Sequence, residues 1–273
     1  MSVILIPAHN EAAVLSRTLR VLLDGLRPDA RVLVLANGCS DDTVKLAHQA
    51  GVEVVEIQEA SKTAALNAGE AAVEDFPRIY LDADIDLRGE DANRVLAVLE
   101  EGALAAEPRP FLDLGEASLA VRAWYRVWQA LHGQRPGAVG SGLYALSAEG
   151  RRRFDEFPAV IADDGFVRAH FSAGEIQEVH GASSRVLGPQ RLKDLIKIKT
   201  RSRLGNLQLR ARFPDLPAFQ ARSSAASKAA RLPLRLLPLL PFYVAVQLFV
   251  RRRAKQQARA IESYVWERDE SSR

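Results

Sequence analysis

Two stretches decide how this chain folds: Val3-Ile-Leu-Ile-Pro-Ala-His-Asn-Glu11 and Arg78-Ile-Tyr-Leu-Asp-Ala-Asp-Ile-Asp86. Each opens with an apolar run too short for a helix and stops abruptly at polar residues, the pattern of a strand buried on both faces. Between them comes a helical spacing of Val14, Leu15, Leu19, Leu22 and Leu23, then a second apolar run, Arg31-Val-Leu-Val-Leu35. A polar turn, Asn37-Gly-Cys-Ser-Asp-Asp42, leads into a helical run from Thr43 to Ala50 and a short strand from Val52 to Ile57, and a further helix is expected from Lys62 to Val73. This βαβαβ rhythm predicts an α/β fold, a mostly parallel sheet flanked by helices. Ligands of such sheets lie beyond the carboxyl ends of the strands, which singles out Pro7 to Glu11, Asn37 to Asp42 and Asp82 to Asp86.

Working outward, a helix is expected near Asp91 to Glu101, and Trp124, Tyr125 and Trp128 have a helical spacing that favours core packing over stacking on a ligand ring. A strand is expected from Glu175 to Leu187, then a basic segment from Arg191 to Arg212 and a small-residue linker from Ser223 to Ala230. With 273 residues, 48% of them hydrophobic, the chain can bury a large core, which excludes disorder as its dominant state. A single cysteine, Cys39, excludes an internal disulfide and a cysteine-based zinc site and points to a reducing compartment. The opening residues lack the basic leader and cleavage site of a signal peptide, so a cytoplasmic protein is expected.

The net charge of +3 hides a division. Residues 1–189 hold 18 basic against 28 acidic side chains, net −10, and residues 190–273 hold 19 against 6, net +13. A basic end suits nucleic acid, anionic lipid or a phosphorylated substrate. No helix-turn-helix, zinc-finger or RRM-like pattern accompanies the charge, so no nucleic-acid partner is expected.

The chemistry concentrates in Asp82-Ala-Asp84-Ile-Asp86. Carboxylates two apart on an extended chain project to one side and repel unless a cation joins them. Mg2+ or Mn2+ takes oxygen ligands and typically uses one or two carboxylates plus substrate phosphates. An acidic surface turn is the alternative reading of this triplet taken alone.

The triplet belongs to a set. Pro7-Ala-His-Asn-Glu11, Asn37-Gly-Cys-Ser-Asp-Asp-Thr43, Lys62-Thr-Ala-Ala-Leu-Asn67-Ala-Gly69 and Asp82-Ala-Asp84 stand in the order and spacing of the family 2 nucleotide-diphospho-sugar glycosyltransferases, and the sequence resembles that family. The resemblance runs from residue 2 to about 90 and resumes at Gly140-Ser-Gly-Leu-Tyr-Ala-Leu-Ser147, Ala162-Asp-Asp164-Gly and Lys199-Thr-Arg-Ser-Arg203. It implies the GT-A fold, a Rossmann-like sheet. It also implies a catalytic domain over 1–215, with a nucleotide-binding half over 1–90 and an acceptor half over 91–215, followed by a helical, basic extension over 216–273.

The resemblance also implies roles. Pro7, Ala8 and Glu11 hold the donor nucleoside, and Asn37, where the family commonly has Asp, stands beside the base. Lys62 lies near the base or phosphates, Asp82 near the ribose, and Asp84 binds Mg2+ or Mn2+ on the diphosphate of a UDP-, GDP- or dTDP-linked sugar. Asp163 and Asp164 supply the acidic pair, with Asp164 the catalytic base that takes the acceptor hydroxyl's proton, so that inversion follows. The pair is equally explained as carboxylates at a helix start. Arg201 and Arg203 lie in a segment similar to the family's basic motif, without its frequent Gln and Trp, and are assigned to the diphosphate, with a solvated basic face as the alternative. His180 is an additional metal-ligand candidate, although its place also suits a strand end.

Leu232 to Val250 is apolar over 19 residues, nearly enough at 1.5 Å per residue to cross a hydrocarbon core of about 30 Å. Pro233, Arg235, Pro238 and Pro241 argue against a simple span, and Arg251-Arg-Arg253-Ala-Lys255 follows at once. The pattern favours peripheral attachment to the inner face of the membrane over a span or a buried or dimerising helix. The function expected is therefore an inverting, metal-dependent glycosyltransferase acting on a saccharide or lipid-linked acceptor in cell-surface polysaccharide or glycolipid synthesis. A sugar-phosphate nucleotidylyltransferase is the enzymatic alternative, weakened because Pro7 to Glu11 contains no glycine, and a non-catalytic membrane-bound scaffold of the same fold is the other.

Overall fold

The structure, a computed structural model, describes residues 1–132, 142–172, 174–220 and 232–259. Gly140 and Ser141 of the resumed motif and the linker expected at Ser223 to Ala230 lie outside the described residues. The chain divides into two compact units that interleave along the sequence: residues 1–112, 140–159 and 170–186 form one, and residues 113–139, 160–169 and 187–273 the other.

The first unit is built on an eight-stranded sheet. Its strands are β1 (Ser2–Ala8), β2 (Ala30–Asn37), β3 (Glu53–Ile57), β4 (Arg78–Leu81), β5 (Asp86–Leu87), β6 (Ala105–Asp113), β7 (Leu143–Leu146) and β8 (Ile176–Leu187), in the spatial order β3-β2-β1-β4-β7-β6-β8-β5. β1 pairs in parallel with both β2 and β4, and β2 with β3. β7 is antiparallel to β4 and to β6, and β5 to β8. Central position explains why all of β1 is buried: it has a strand on either side and helices over its faces.

Those helices are α1 (Ala12–Leu23), α2 (Thr43–Gln49), α3 (Lys62–Ala72) and α4 (Gly89–Glu100). α1 buries Val14, Leu15, Leu19 and Leu22 at helical period, and Leu15, Leu19 and Leu22 join Ile4, Ile6, Val34, Ile79 and Leu81 in one core. Each fully buried Leu or Ile there contributes about 1.5–3 kcal/mol relative to exposure. Close packing has a local cost in side-chain choice: a Cβ at Gly69 of α3 would lie 2.6 Å from Leu35 Cδ1, so the helix can approach β2 there only without a side chain. Below the sheet, Glu70 accepts from Tyr80 Oη at 2.6 Å and pairs with Arg78 Nη1 at 2.8 Å and with Arg151 of α6 (Ala148–Arg151). Desolvation, reinforced by this carboxylate, pushes the Tyr80 hydroxyl well above its ordinary range.

The second unit is helical: α5 (Leu119–His132), α7 (Asp163–Ala169), α8 (Leu192–Arg212), α9 (Pro217–Gln220), a 3-10 helix (Leu234–Leu239) and α10 (Leu240–Ala258). The basic segment expected after Arg191 is one 21-residue helix, α8. Trp124, Tyr125 and Trp128 are buried on α5, as their spacing predicts, with Trp124 stacked on Trp128 and 5.3 Å from the Tyr243 ring of α10. α10 seats itself through Tyr243, Val246, Val250 and Ala254, a stripe of one residue per turn. Its opposite side, Val244, Leu248 and Phe249, is exposed.

Candidate functional site

Because β1, β2 and β4 run in parallel, their carboxyl ends meet on one edge of the sheet. Ala8 stands level with Ala36, and Leu5 with Tyr80. The loops beyond those ends are tied together. Asn10 adopts a left-handed backbone (φ 51°), and its Oδ1 accepts the Ser40 N–H at 2.7 Å. Glu11 N–H donates to Thr43 Oγ1 at 2.8 Å, and Ala12 N–H to Asp41 Oδ2 at 3.0 Å. The first turn of α1 is thus satisfied from the β2 loop, since Glu11, its N-cap, makes no side-chain cap bond. Burial alone would raise the Asp41 carboxyl; hydrogen bonds from the Thr43 hydroxyl and from backbone N–H groups outweigh it and hold Asp41 below the usual carboxylate range.

Pro7 and Ala8 end β1 in full burial. The Ala8 carbonyl accepts Asn37 Nδ2 at 2.9 Å, and the same amide nitrogen reaches the Leu35 carbonyl at 3.3 Å. Asn37 is 3% exposed. Both carbonyls are acceptors, so the position requires a donor. An Asp here would turn a carboxylate onto two carbonyl oxygens, a physical reason for the amide.

The three carboxylates after β4 meet different fates. Asp82 Oδ1 lies 2.6 Å from Lys62 Nζ, the first residue of α3, whose N-cap Ser61 accepts the Ala64 N–H. Asp86 is 8% exposed and pairs with Arg17 Nε at 2.8 Å and Arg185 Nη1 at 3.6 Å. Arg17 Nη2 also donates to the Asp84 carbonyl at 3.2 Å, and Thr18 Oγ1 to the Ala83 carbonyl at 2.8 Å, so α1 fixes the backbone of the turn. The half-buried Asp84 side chain makes no hydrogen bond or ion pair among the described residues. Gly142 completes the turn. Its carbonyl accepts the Asp82 N–H at 2.8 Å, its φ is +56°, and a Cβ on it would lie 2.7 Å from Asp82 Oδ2. Only glycine meets both demands. Sequence reasoning gave this residue no role, although it stands in a quoted motif.

Among the described residues no group of three His, Cys, Asp or Glu side chains is placed to hold a metal ion. A cation at Asp84 would therefore draw its other ligands from a donor diphosphate and water, as Mg2+ and Mn2+ sites commonly do, and a carboxylate without a protein partner fits that demand. In the antiparallel pairing of β5 with β8, Asp86 is opposite Arg185 and Leu87 opposite Ser184, and His180 lies four residues before Ser184 on β8, lining a groove with Arg109 and Phe111.

In the second unit, Asp163 and Asp164 form the first turn of α7. Asp163 is 4% exposed, and Asp164 Oδ1 accepts the Gly165 N–H at 2.7 Å. α7 is held on α8: Ile161 N–H donates to Gln208 Oε1 at 2.8 Å, and a Cβ on Gly205 would lie 2.8 Å from the Ala162 Cβ. Arg201, one turn before Gly205, is on the α7 side of α8. Arg203 is two residues on and so turned about 200° away. Burial, and secondly the charge of Arg251 on α10, lowers the Arg203 guanidinium. The two arginines therefore leave α8 on different sides. Lys199 shares the Arg203 side of α8 and was assigned no role. Its Nζ lies 4.9–5.4 Å from the ring centres of Trp124, Tyr125 and Trp128, and burial pushes its ammonium down to about 8.

Comparison with known proteins follows this geometry. No curated protein sequence matches the chain. Among solved structures, a mannosyltransferase from Pyrobaculum calidifontis, in complex with GDP-Man and Mn2+, superposes with a TM-score of 0.59 at 18% identity, covering 97% of this chain and 76% of that one. Glucosyl-3-phosphoglycerate synthase from Mycobacterium tuberculosis, in complex with Mn2+, UDP and glucosyl-3-phosphoglycerate, superposes with a TM-score of 0.55 at 20% identity, covering 78% of this chain and 79% of that one. At such identities these likenesses speak to the fold. The family model described as glycosyl transferase family 2 matches residues 3–137, which take in β1 to β6 and every loop of the tied sheet edge up to Asp86. Residues 3–137 belong to glycosyl transferase family 2, and the chain has the GT-A fold.

Proposed function

We propose that the chain is an inverting glycosyltransferase that moves a sugar from a nucleoside diphosphate to an acceptor hydroxyl. The observation that carries this reading is Asp84: of three carboxylates on one turn, two have protein cations and the third has none among the described residues. In the proposed site the tied loops after β1 and β2, with Pro7, Ala8, Glu11 and Asn37, receive the nucleoside. Lys62 and Asp82, held to each other, flank its ribose and phosphates. Asp84 holds Mg2+ or Mn2+, which when bound neutralises charge on the leaving diphosphate. The complexes with GDP-Man and Mn2+ and with UDP and Mn2+ or Mg2+ seen in proteins of the same fold are consistent with this donor class. Asp164 takes the proton of the acceptor hydroxyl as it attacks the anomeric carbon opposite the diphosphate, with Asp163 as its neighbour, and Arg201 is the phosphate-side cation of α8.

The acceptor proposed is a saccharide or a lipid-linked sugar of cell-surface polysaccharide or glycolipid synthesis, met at the cytoplasmic face of the membrane. The segment Leu234–Ala258 is long and apolar enough to cross a bilayer by length and composition. One side of α10 is already seated on protein, and Leu234, Leu248 and Phe249 stand exposed beside Arg251 and Arg252. That combination favours peripheral contact with anionic lipid. Residues 1–215 would then be the catalytic part and 216–273 the attachment.

The test is thermal stabilisation by UDP, GDP and dTDP with and without Mn2+. At least one nucleotide should stabilise the parent in a Mn2+-dependent manner, and Asp84→Ala should abolish the dependence. If no nucleotide acts on the parent, or Asp84→Ala responds as the parent does, the reading fails. Flotation with anionic vesicles, before and after removal of residues 232–273, tests the attachment separately.

A further inference from the structure

Away from the tied edge loops, β6 and β8 present four side chains to one open groove of about 520 Å3: Arg109, Phe111, Glu178 and His180. Arg109 and Phe111 are two apart on β6, and Glu178 and His180 two apart on β8, so the pleat aims each pair to one face. Phe111 is 61% exposed, one of few large apolar side chains so open in the first unit. Among the described residues, none of the four makes a hydrogen bond or ion pair, although a guanidinium and a carboxylate line the same groove. Elsewhere in this unit arginines find carboxylates readily, as Arg27 does with Glu100, Arg31 with Glu53 and Arg153 with Glu175.

We infer that this groove binds a neutral hexopyranose unit, with a binding chemistry that stands on the groove itself. A pyranose offers an apolar C–H face that stacks on an exposed aromatic ring and a rim of hydroxyls that each donate and accept. Phe111 supplies the platform, Arg109 donates, Glu178 accepts and His180 does either. A phosphate would be repelled by Glu178 and a cation by Arg109, whereas a neutral polyol uses both. The volume is in the range of small-molecule sites.

Saturation-transfer NMR of the full chain with the methyl glycosides of D-glucose, D-mannose, D-galactose and N-acetyl-D-glucosamine, without nucleotide or metal, tests this. At least one should bind the parent saturably. Phe111→Ala should weaken that binding about three- to tenfold, and Phe111→Trp should restore it. Glu178→Gln should leave it nearly unchanged, because the amide still accepts, whereas Glu178→Leu should weaken it. Saturable binding by none of the four sugars, or equal binding by the parent and Phe111→Ala, overturns the proposal. Because Phe111 is exposed, its variants should melt with the parent. The nucleotide and Mn2+ experiment is independent of this one: sugar binding without nucleotide binding would sink the transferase reading and leave the groove, and the reverse would sink the groove alone.

Discussion

Lys62 Nζ lies 2.6 Å from Asp82 Oδ1, linking the first residue of α3 to the first carboxylate after β4. This contact gives Asp82 a cation within the protein, whereas the Asp84 side chain has none among the described residues. Both partners are about one-third exposed, so the pair adds roughly 1 kcal/mol or less to stability. Its consequence is for placement. Lys62→Ala should therefore barely move the urea midpoint while weakening nucleotide affinity, as calorimetry with UDP or GDP and Mn2+ would measure.

Asp84 and Asp86 should separate stability from binding. Asp86 is buried against Arg17, and Asp86→Ala leaves that guanidinium without its carboxylate, at a cost of about 3 kcal/mol. Asp84→Ala removes no hydrogen bond or ion pair among the described residues and should stay within about 0.5 kcal/mol of the parent in urea unfolding. Equal losses in the two variants would contradict the division of labour.

Asn37→Asp should be destabilising in a pH-dependent way. The new carboxylate would face the Ala8 and Leu35 carbonyls, at a cost of about 1–3 kcal/mol when ionised. Its folded pKa would be raised, so the deficit against the parent should be full at neutral pH. It should shrink as pH falls through the folded value toward the ordinary Asp value of about 4. Denaturation of both proteins between pH 7 and 4 gives the comparison.

Lys199 gives the opposite pH signature. Burial lowers its ammonium from 10.5 to about 8, so between those values the unfolded chain holds a proton that the folded chain has released. Stability should rise with pH across that window, and the penalty of burying the charge is fully present below pH 8. Trp124, Tyr125 and Trp128 reduce that penalty through their ring faces. Lys199→Met should flatten the rise between pH 8 and 10.5 and melt higher than the parent at pH 7.

Asp164→Asn should lower the rate of sugar transfer by about 100- to 10,000-fold while leaving nucleotide affinity within twofold. Parent-like turnover would remove Asp164 as the base.

Much of the first unit was legible in the order of residues. Short apolar runs ending in polar turns are sufficient for parallel strands, because burial on both faces leaves no other use for Val3 to Ile6 or Arg31 to Leu35. The ends of those strands could be located for the same reason, and with them Ala8, Glu11, Asn37, Asp82 and Asp84, whereas Lys62 was singled out by the family resemblance alone. What each side chain touches could not be read, since partners such as Arg17 and Asp86 are 69 residues apart. The resemblance set Asp82 and Asp84 apart by role, but only folding gave Lys62 to Asp82 and Arg17 to Asp86, and left the Asp84 side chain without either. It also listed Arg201 and Arg203 together, and the helix turned them apart. Local periodicity is written in the chain, but the assignment of charges to one another depends on which distant segments pack, and that is decided by the core as a whole.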